Sequence, residues 1–184
     1  HGGQSVPNFD YGMAPGVKKT YKKLYYTNLG KMLDFLEDID DGVEKMKTLE
    51  KQIEDEHGVY PCMAWDNNYR ELELEELKKI VSEEEARKMQ ERAAKFADKE
   101  TRRKTYQAME ALIHNLNTMH SRAGAQVPFS SINYGTDTSP EGRLVMESIM
   151  LTTEAGLGNG ETPIFPIQIF KVKEGVSYNP EDPN

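Results

Sequence analysis

The sequence is poor in the residues that build covalent or metal scaffolds: one cysteine, Cys62, and four histidines in 184 residues, with 23 Lys and Arg against 31 Asp and Glu. A single thiol excludes an intrachain disulfide framework and a four-cysteine zinc site. His114 and His120 are six apart, so they fall on different parts of a helix and not at the three- or four-residue spacing that chelates a metal. The net charge of −8 argues against nucleic acid as a general partner, because phosphate backbones are held by surplus Lys and Arg, although a local basic patch could still meet a small polyanion. No apolar run approaches the ~20 residues that span a bilayer and no signal-peptide pattern opens the chain, so a soluble cytoplasmic protein is expected, with no membrane partner. The length suits roughly one domain. The chain opens on His1 rather than Met and stops just after a Pro-flanked acidic turn, which predicts a piece of a longer protein.

What is present is concentrated in one stretch, Ala125 to Arg143. Val127, Phe129 and Ser131 alternate with Pro128, Ser130 and Ile132, the period-two signature of a strand. Gly135 frees the backbone, Ser139 stands where an N-cap belongs, Pro140 suits the first helical position and Glu141 follows. A strand thus runs through a small polar turn, Gly135-Thr136-Asp137-Thr138-Ser139, into a helix ending at Gly156. Such turns place unpaired N–H groups and a helix dipole where ligands sit in α/β folds. The turn hydroxyls suit a ligand, while Asp137 can accept from sugar hydroxyls but repels phosphate; a capped turn without ligand is the plain alternative. The apolar run of Ile164, Phe165, Ile167, Ile169, Phe170 and Val172 predicts a strand buried on both faces, completing a right-handed βαβ unit.

Upstream the pattern is helical. Tyr21, Leu24, Tyr25, Met32, Leu36 and Ile39 recur at helical spacing from Val17, with Lys18, Lys19, Lys22 and Lys23 largely on the other side. Four lysines in a first turn oppose the dipole, so they read either as a solvated face or as a grip on phosphate. Asp40-Asp41-Gly42 breaks the helix, another runs from Val43 to Glu56, and 59–69 form a loop between helices. Ser82 with Glu85 makes a capping box that opens a helix toward Gly124. Its apolar stripe is thin at Ala86, Met89, Ala93, Phe96 and Ala97 and thick at Met109, Leu112, Ile113, Leu116 and Met119, so burial is expected to increase toward Gly124. A helix of that length suggests a dimer contact.

The block from Ser121 to Arg143 is similar to one in the anaerobic (class III, glycyl-radical) ribonucleoside triphosphate reductases. The resemblance extends to His1-Gly-Gly-Gln-Ser5, Phe9-Asp10, Ala14-Pro15, Tyr106 to Glu110, Ile164-Phe-Pro166 and Asn179-Pro-Glu-Asp-Pro183, but not to about 40–100. It implies part of a ten-stranded α/β barrel with long helices forming a dimer and allosteric surface. In that frame 1–15 is a glycine-rich opening segment, 16–124 a mainly helical dimer and effector region, 125–173 a strand-helix-strand unit and 174–184 a connecting turn.

The same resemblance implies that the whole enzyme reduces ribonucleoside triphosphates through a glycyl radical and a cysteine thiyl, with dNTP or ATP effectors, a homodimer and a radical-SAM activating enzyme. Cys62 lacks the Met-Gly-Cys context of the radical cysteine and reads as an incidental thiol; the radical glycine and its cysteine-rich zinc site are expected outside this chain, which is therefore expected to be inactive alone. The turn Gly135 to Ser139 would lie between specificity effector and substrate. Asp10, Lys18 and Lys19 resemble the effector position, Asp for ribose or base and Lys for phosphate. Two other readings share part of the pattern: a non-catalytic nucleotide-binding or dimerisation module of a degenerate homologue, and a helical scaffold, which would not account for the block after Ser121.

Overall fold

The computed structural model describes residues 3–36, 38–119 and 127–184. The chain is mixed α/β and mostly helical: β1 (Gly3–Val6), α1 (Phe9–Leu36), α2 (Gly42–His57), α3 (Asn67–Leu77), α4 (Glu83–Thr118), β2 (Phe129–Tyr134), α5 (Pro140–Ala155) and β3 (Ile167–Phe170). Residues 1–17 with 103–184 make one compact unit, and 18–102 make another. His120, His1 and the stretch 120–126 lie outside the described residues.

The first unit is built on a three-stranded sheet of order β1-β2-β3. Both pairings are parallel, Gly3 opposite Phe129 and Ser131 opposite Ile167, as a β2-α5-β3 crossover requires. One face of β2 buries Ser130, Ile132 and Tyr134. α5 begins as its sequence dictates, with Pro140 in the first turn and the Ser139 hydroxyl accepting from the Gly142 N–H at 3.1 Å. Asn117 of α4 holds the approach to β3: its side-chain oxygen accepts from the N–H groups of Ile164 and Phe165, and its amide donates to the Phe165 carbonyl.

β3 corrects the expectation of burial on both faces. Ile167, Ile169 and Phe170 are all exposed, and Ile164 is 74% exposed. β3 is an edge strand paired only with β2 among the described residues, and its apolar run is covered only in part, where Phe170 packs edge-on against Tyr134 and Phe165 against Phe129.

In the unit 18–102 the core gathers Tyr21, Tyr25, Leu29 and Leu33 of α1 with Met46, Ile53, Leu74, Leu77, Ala86, Met89, Ala93 and Ala97. The backbones of α1 and α2 touch at Gly30 and Gly42, where a Cβ on either would overlap the other helix. The Gly42 N–H donates to Asp34 Oδ1 at 2.7 Å, tying the α2 start to α1. The capping box at α4 is formed: the Glu85 N–H donates to Ser82 Oγ and the Ser82 N–H to Glu85 Oε2, both at 3.3 Å. At the core's centre the Glu73 carboxylate accepts from Tyr25 and Tyr69 hydroxyls, each at 2.6 Å, and from Gln90 at 2.9 Å.

Two further expectations are corrected. α1 starts at Phe9, not near Val17, and runs through Pro15. Lys18, Lys19, Lys22 and Lys23 therefore lie in the third turn and beyond, where the dipole penalty has decayed. Burial along α4 also does not increase toward its end: Ala86, Met89, Ala93 and Ala97 are buried with Phe96 exposed, while in the thicker stripe Met109 and Ile113 are buried, Leu112 and Leu116 are half-buried and Met119 is 60% exposed. Small side chains let the helix approach its neighbours closely, and bulk alone did not report that.

Candidate functional site

The carboxyl ends of the three parallel strands converge on the turn 135–139. Gly135 has φ 127 there, and a Cβ would press on the Lys171 backbone, so glycine is required. The turn lies just beyond β2 and just ahead of α5, the position expected of a ligand-bearing loop.

Its backbone is not free, however, and this corrects the expectation of outward-facing N–H groups. The N–H groups of Gly135, Thr136 and Asp137 all donate to Asp10 Oδ2, at 3.0, 3.1 and 3.0 Å. Asp10 Oδ1 accepts from the Tyr11 N–H at 3.0 Å, within the first turn of α1. The three turn donors form an anion-binding nest of the kind that elsewhere cradles phosphate, and here the chain's own carboxylate fills it. Asp10 is 1% exposed. Burial alone would raise its pKa, but the four backbone N–H groups outweigh burial and hold it below the ordinary aspartate value.

The carbonyls are held as well. Tyr11 Oη donates to the Thr136 carbonyl at 2.8 Å, and the Asn184 amide donates to the carbonyls of Gly135 and Asp137, each at 3.1 Å. Arg143 Nε in turn donates to Asn184 Oδ1 at 2.7 Å. Lys171 donates to the Pro7 carbonyl and to Asn8 Oδ1, joining the ends of β1 and β3. Three side chains from positions 10, 11 and 184 thus satisfy the whole backbone of 135–137.

Asp137 is buried, and its Oδ1 accepts from the Ser139 N–H at 2.9 Å, so the carboxylate lies over the start of α5. Gly142 leaves room for it; a Cβ there would overlap the Asp137 carboxyl. Thr138 is exposed and Thr136 half-buried, so these two hydroxyl side chains are the turn members open to a ligand.

Lys18 is half-buried and Lys19 exposed, both on α1 within the unit 18–102. Lys19 lines a groove of about 470 Å³ between α1 and α2 with Lys23, Lys47 and Lys51. Lys22 is drawn to the groove's acidic side, 2.8 Å from Glu50 and 2.5 Å from Glu54. Among the described residues no group of three or more His, Cys, Asp or Glu is placed to hold a metal ion. Cys62 is a half-buried free thiol.

Tyr11, Asn184 and Lys171 were not foreseen as parts of this site. Asp10 is singled out in the sequence only by the family resemblance, and nothing local links it to a turn 125 residues away.

The chain is therefore an α/β protein whose candidate site is a clamped strand-to-helix turn at the carboxyl end of a parallel sheet. No helix among the described residues is long and apolar enough to cross a membrane. The family model described as anaerobic ribonucleoside-triphosphate reductase matches residues 1–184, and the chain belongs to that family. A curated relative of that name from Escherichia coli (strain K12) is 38% identical over 90 residues, 48% of this chain and 12% of the relative. Its counterpart in Enterobacteria phage T4 is 38% identical over 93 residues, 50% of this chain and 15% of the relative. The matched part is thus a small share of each relative's length.

Proposed function

We propose that this chain forms part of an enzyme that reduces ribonucleoside triphosphates to deoxyribonucleoside triphosphates anaerobically, contributing a segment of its ten-stranded barrel and part of its effector and dimer surface. The observation that carries this reading is the match of the family over 1–184, and the clamped turn at the sheet's carboxyl end supports it. The radical glycine, the radical cysteine and the zinc site lie in other parts of the enzyme. It works in the cytoplasm as a homodimer charged by a radical-SAM activating enzyme.

Within it the turn Gly135 to Ser139 conveys effector identity to the substrate. Lys18 and Lys19 hold effector phosphates; their ammonium groups supply charge-assisted bonds to phosphate oxygens. Asp10 acts on ligands through the turn, because its carboxylate is already committed to the N–H groups of 135–137.

The test uses the full-length dimeric reductase that contains this chain. Calorimetric titration of a deoxynucleoside triphosphate should show Lys18→Ala weakening binding by about 1.5–3 kcal/mol, the range for a hydrogen bond to a charged group. Asp137→Ala should change which base is reduced under a given effector. Unchanged affinity removes Lys18 from the site, and unchanged base preference leaves Asp137 as a helix cap. The 184-residue chain alone should form no deoxynucleotide even with the activating enzyme, and product above background would overturn the placing of the radical residues elsewhere.

A further inference from the structure

The unit 18–102 holds a cavity of about 550 Å³, within the range of small-molecule sites. Arg70 of α3 forms one wall. Its guanidinium lies over the Trp65 ring, 4.8 Å from the centroid, and its Nε is buried with no hydrogen-bond partner. No carboxylate among the described residues pairs with it. A guanidinium cannot shed its proton, so one whose buried Nε–H has no protein partner favours an acceptor beside it.

Trp65 is held in an unusual way to make this wall. Its φ is 55, a left-handed conformation that bulky residues seldom adopt. Its N–H closes a turn onto the Cys62 carbonyl at 3.0 Å, and its ring packs edge-on against Tyr25 at 5.8 Å. Backbone strain of this kind is found where a side chain must be presented at a fixed angle. Here the side chain presented is an indole, with one face to Arg70.

The remaining lining is both apolar and charged. Tyr21, Met63 and Ala94 offer ring and aliphatic surface, Lys95 adds a second cation, and Glu91 and Asp98 supply carboxylates. Asp98 is neutralised by Arg102 at 2.9 Å. Two cations against one unpaired carboxylate suit a single oxyanion group and not a triphosphate.

We infer that this cavity binds a small aromatic anion, its oxyanion group on Arg70 and Lys95 and its flat ring against Met63, Ala94 and Tyr21. The oxyanion is a phosphate monoester or a carboxylate; the fork of Arg70 serves either. The site is independent of the effector reading, since it uses neither Lys18, Lys19 nor the turn.

Trp65 is the chain's single tryptophan, so its fluorescence reports occupancy. The full chain is titrated with adenosine 5′-monophosphate, with phenylacetate and with inorganic phosphate, and binding is confirmed by calorimetry. The expected result is saturable binding of a ring-bearing probe, with inorganic phosphate about tenfold weaker or worse. Tighter binding of the nucleotide assigns a phosphate ligand, and tighter binding of phenylacetate a carboxylate. Arg70→Ala should weaken binding by at least about tenfold, Arg70→Lys by less, and Lys79→Ala, at an exposed position, not at all. Where Arg70→Ala unfolds, Arg70→Lys and Lys95→Gln carry the comparison. Absence of saturable binding by both ring-bearing probes, equal binding by the Arg70 and Lys95 variants, loss on Lys79→Ala, or equal affinity for inorganic phosphate would each overturn the inference.

Discussion

Replacing Asp10 by alanine tests the clamp directly. The substitution removes one acceptor that takes three turn N–H groups and a second that takes the Tyr11 N–H. The Gly135 and Asp137 bonds are buried, while those of Thr136 and Tyr11 are partly open to water. A buried donor left unpaired costs about 1–3 kcal/mol, so two such donors give a loss of about 2–6 kcal/mol. Asp10→Asn separates charge from shape. Its amide oxygen can take the three turn donors, but its NH2 then faces the Tyr11 N–H, donor to donor, and the loss should be smaller. Urea unfolding of the full chain measures the loss, and amide hydrogen exchange at 135–137 locates it. A loss below about 1 kcal/mol in Asp10→Ala, with exchange at those amides unchanged, would refute the clamp.

Acid gives the same clamp a second reading. The folded-state pKa of Asp10 lies below its ordinary 3.8. Between those two values the unfolded chain binds more protons, so the carboxylate's contribution is fully present above the ordinary value and disappears as pH falls through the folded one. Asp10→Asn should lack that component of acid destabilisation. An unaltered acid limb in the variant would assign the acid transition to other groups.

Glu73 carries the opposite sign: burial raises its pKa, although the two tyrosines and Gln90 pull it down. Its penalty is absent below the ordinary glutamate value and grows as pH rises toward the folded pKa, so Glu73→Gln should gain stability relative to the parent from pH 5 to pH 8. Urea midpoints at the two pH values check this, and a gain that shrinks as pH rises counts against it. Gly142→Ala poses helix propensity against packing. Propensity alone promises about 1 kcal/mol of stabilisation, but the Asp137 carboxyl occupies the space of the new methyl, so denaturation should instead show a net loss; a net gain would mean that Asp137 yields readily.

The parts of this fold legible in the sequence were those written in neighbouring residues. Ser139 and Pro140 mark the start of α5, and Ser82 and Glu85 that of α4, because a cap needs only partners three or four residues away; Asp41-Gly42 marks the break before α2 without Asp41 capping it, the Gly42 N–H donating to Asp34 instead. The start of α1 is not legible in the apolar spacing, which becomes regular only from Val17, although the helix begins at Phe9 and carries Pro15 in its second turn. The burial of α4 is not legible in the apolar mass of its stripe, because small side chains and not bulk permit close approach. In the core of 18–102, alanines at 86, 93 and 97 are buried because they are small enough to admit Tyr21, Tyr25 and their neighbours. Nothing in the sequence near residue 10 announces a contact with residue 135, and no local pattern could have supplied it.

That long-range contact bears on how the turn can discriminate between ligands. A loop with free N–H groups binds any anion that reaches it. The turn at 135–137 has its donors taken by Asp10 and its carbonyls by Tyr11 and Asn184. It therefore has no generic anion affinity left to offer from those groups. What it can vary is position, since the half-buried Thr136 side chain is carried on the clamped backbone and the exposed Thr138 side chain follows directly after it. A preference conveyed in this way depends on the difference between two placements of one backbone and not on the strength of any one bond. On that account Asp10→Asn, which loosens the placement without touching Thr136 or Thr138, should blur base selection in the full enzyme while leaving effector affinity near its original value. Product ratios under saturating effector measure the first and calorimetry the second. A sharp fall in affinity with selection intact would return Asp10 to direct contact with the effector.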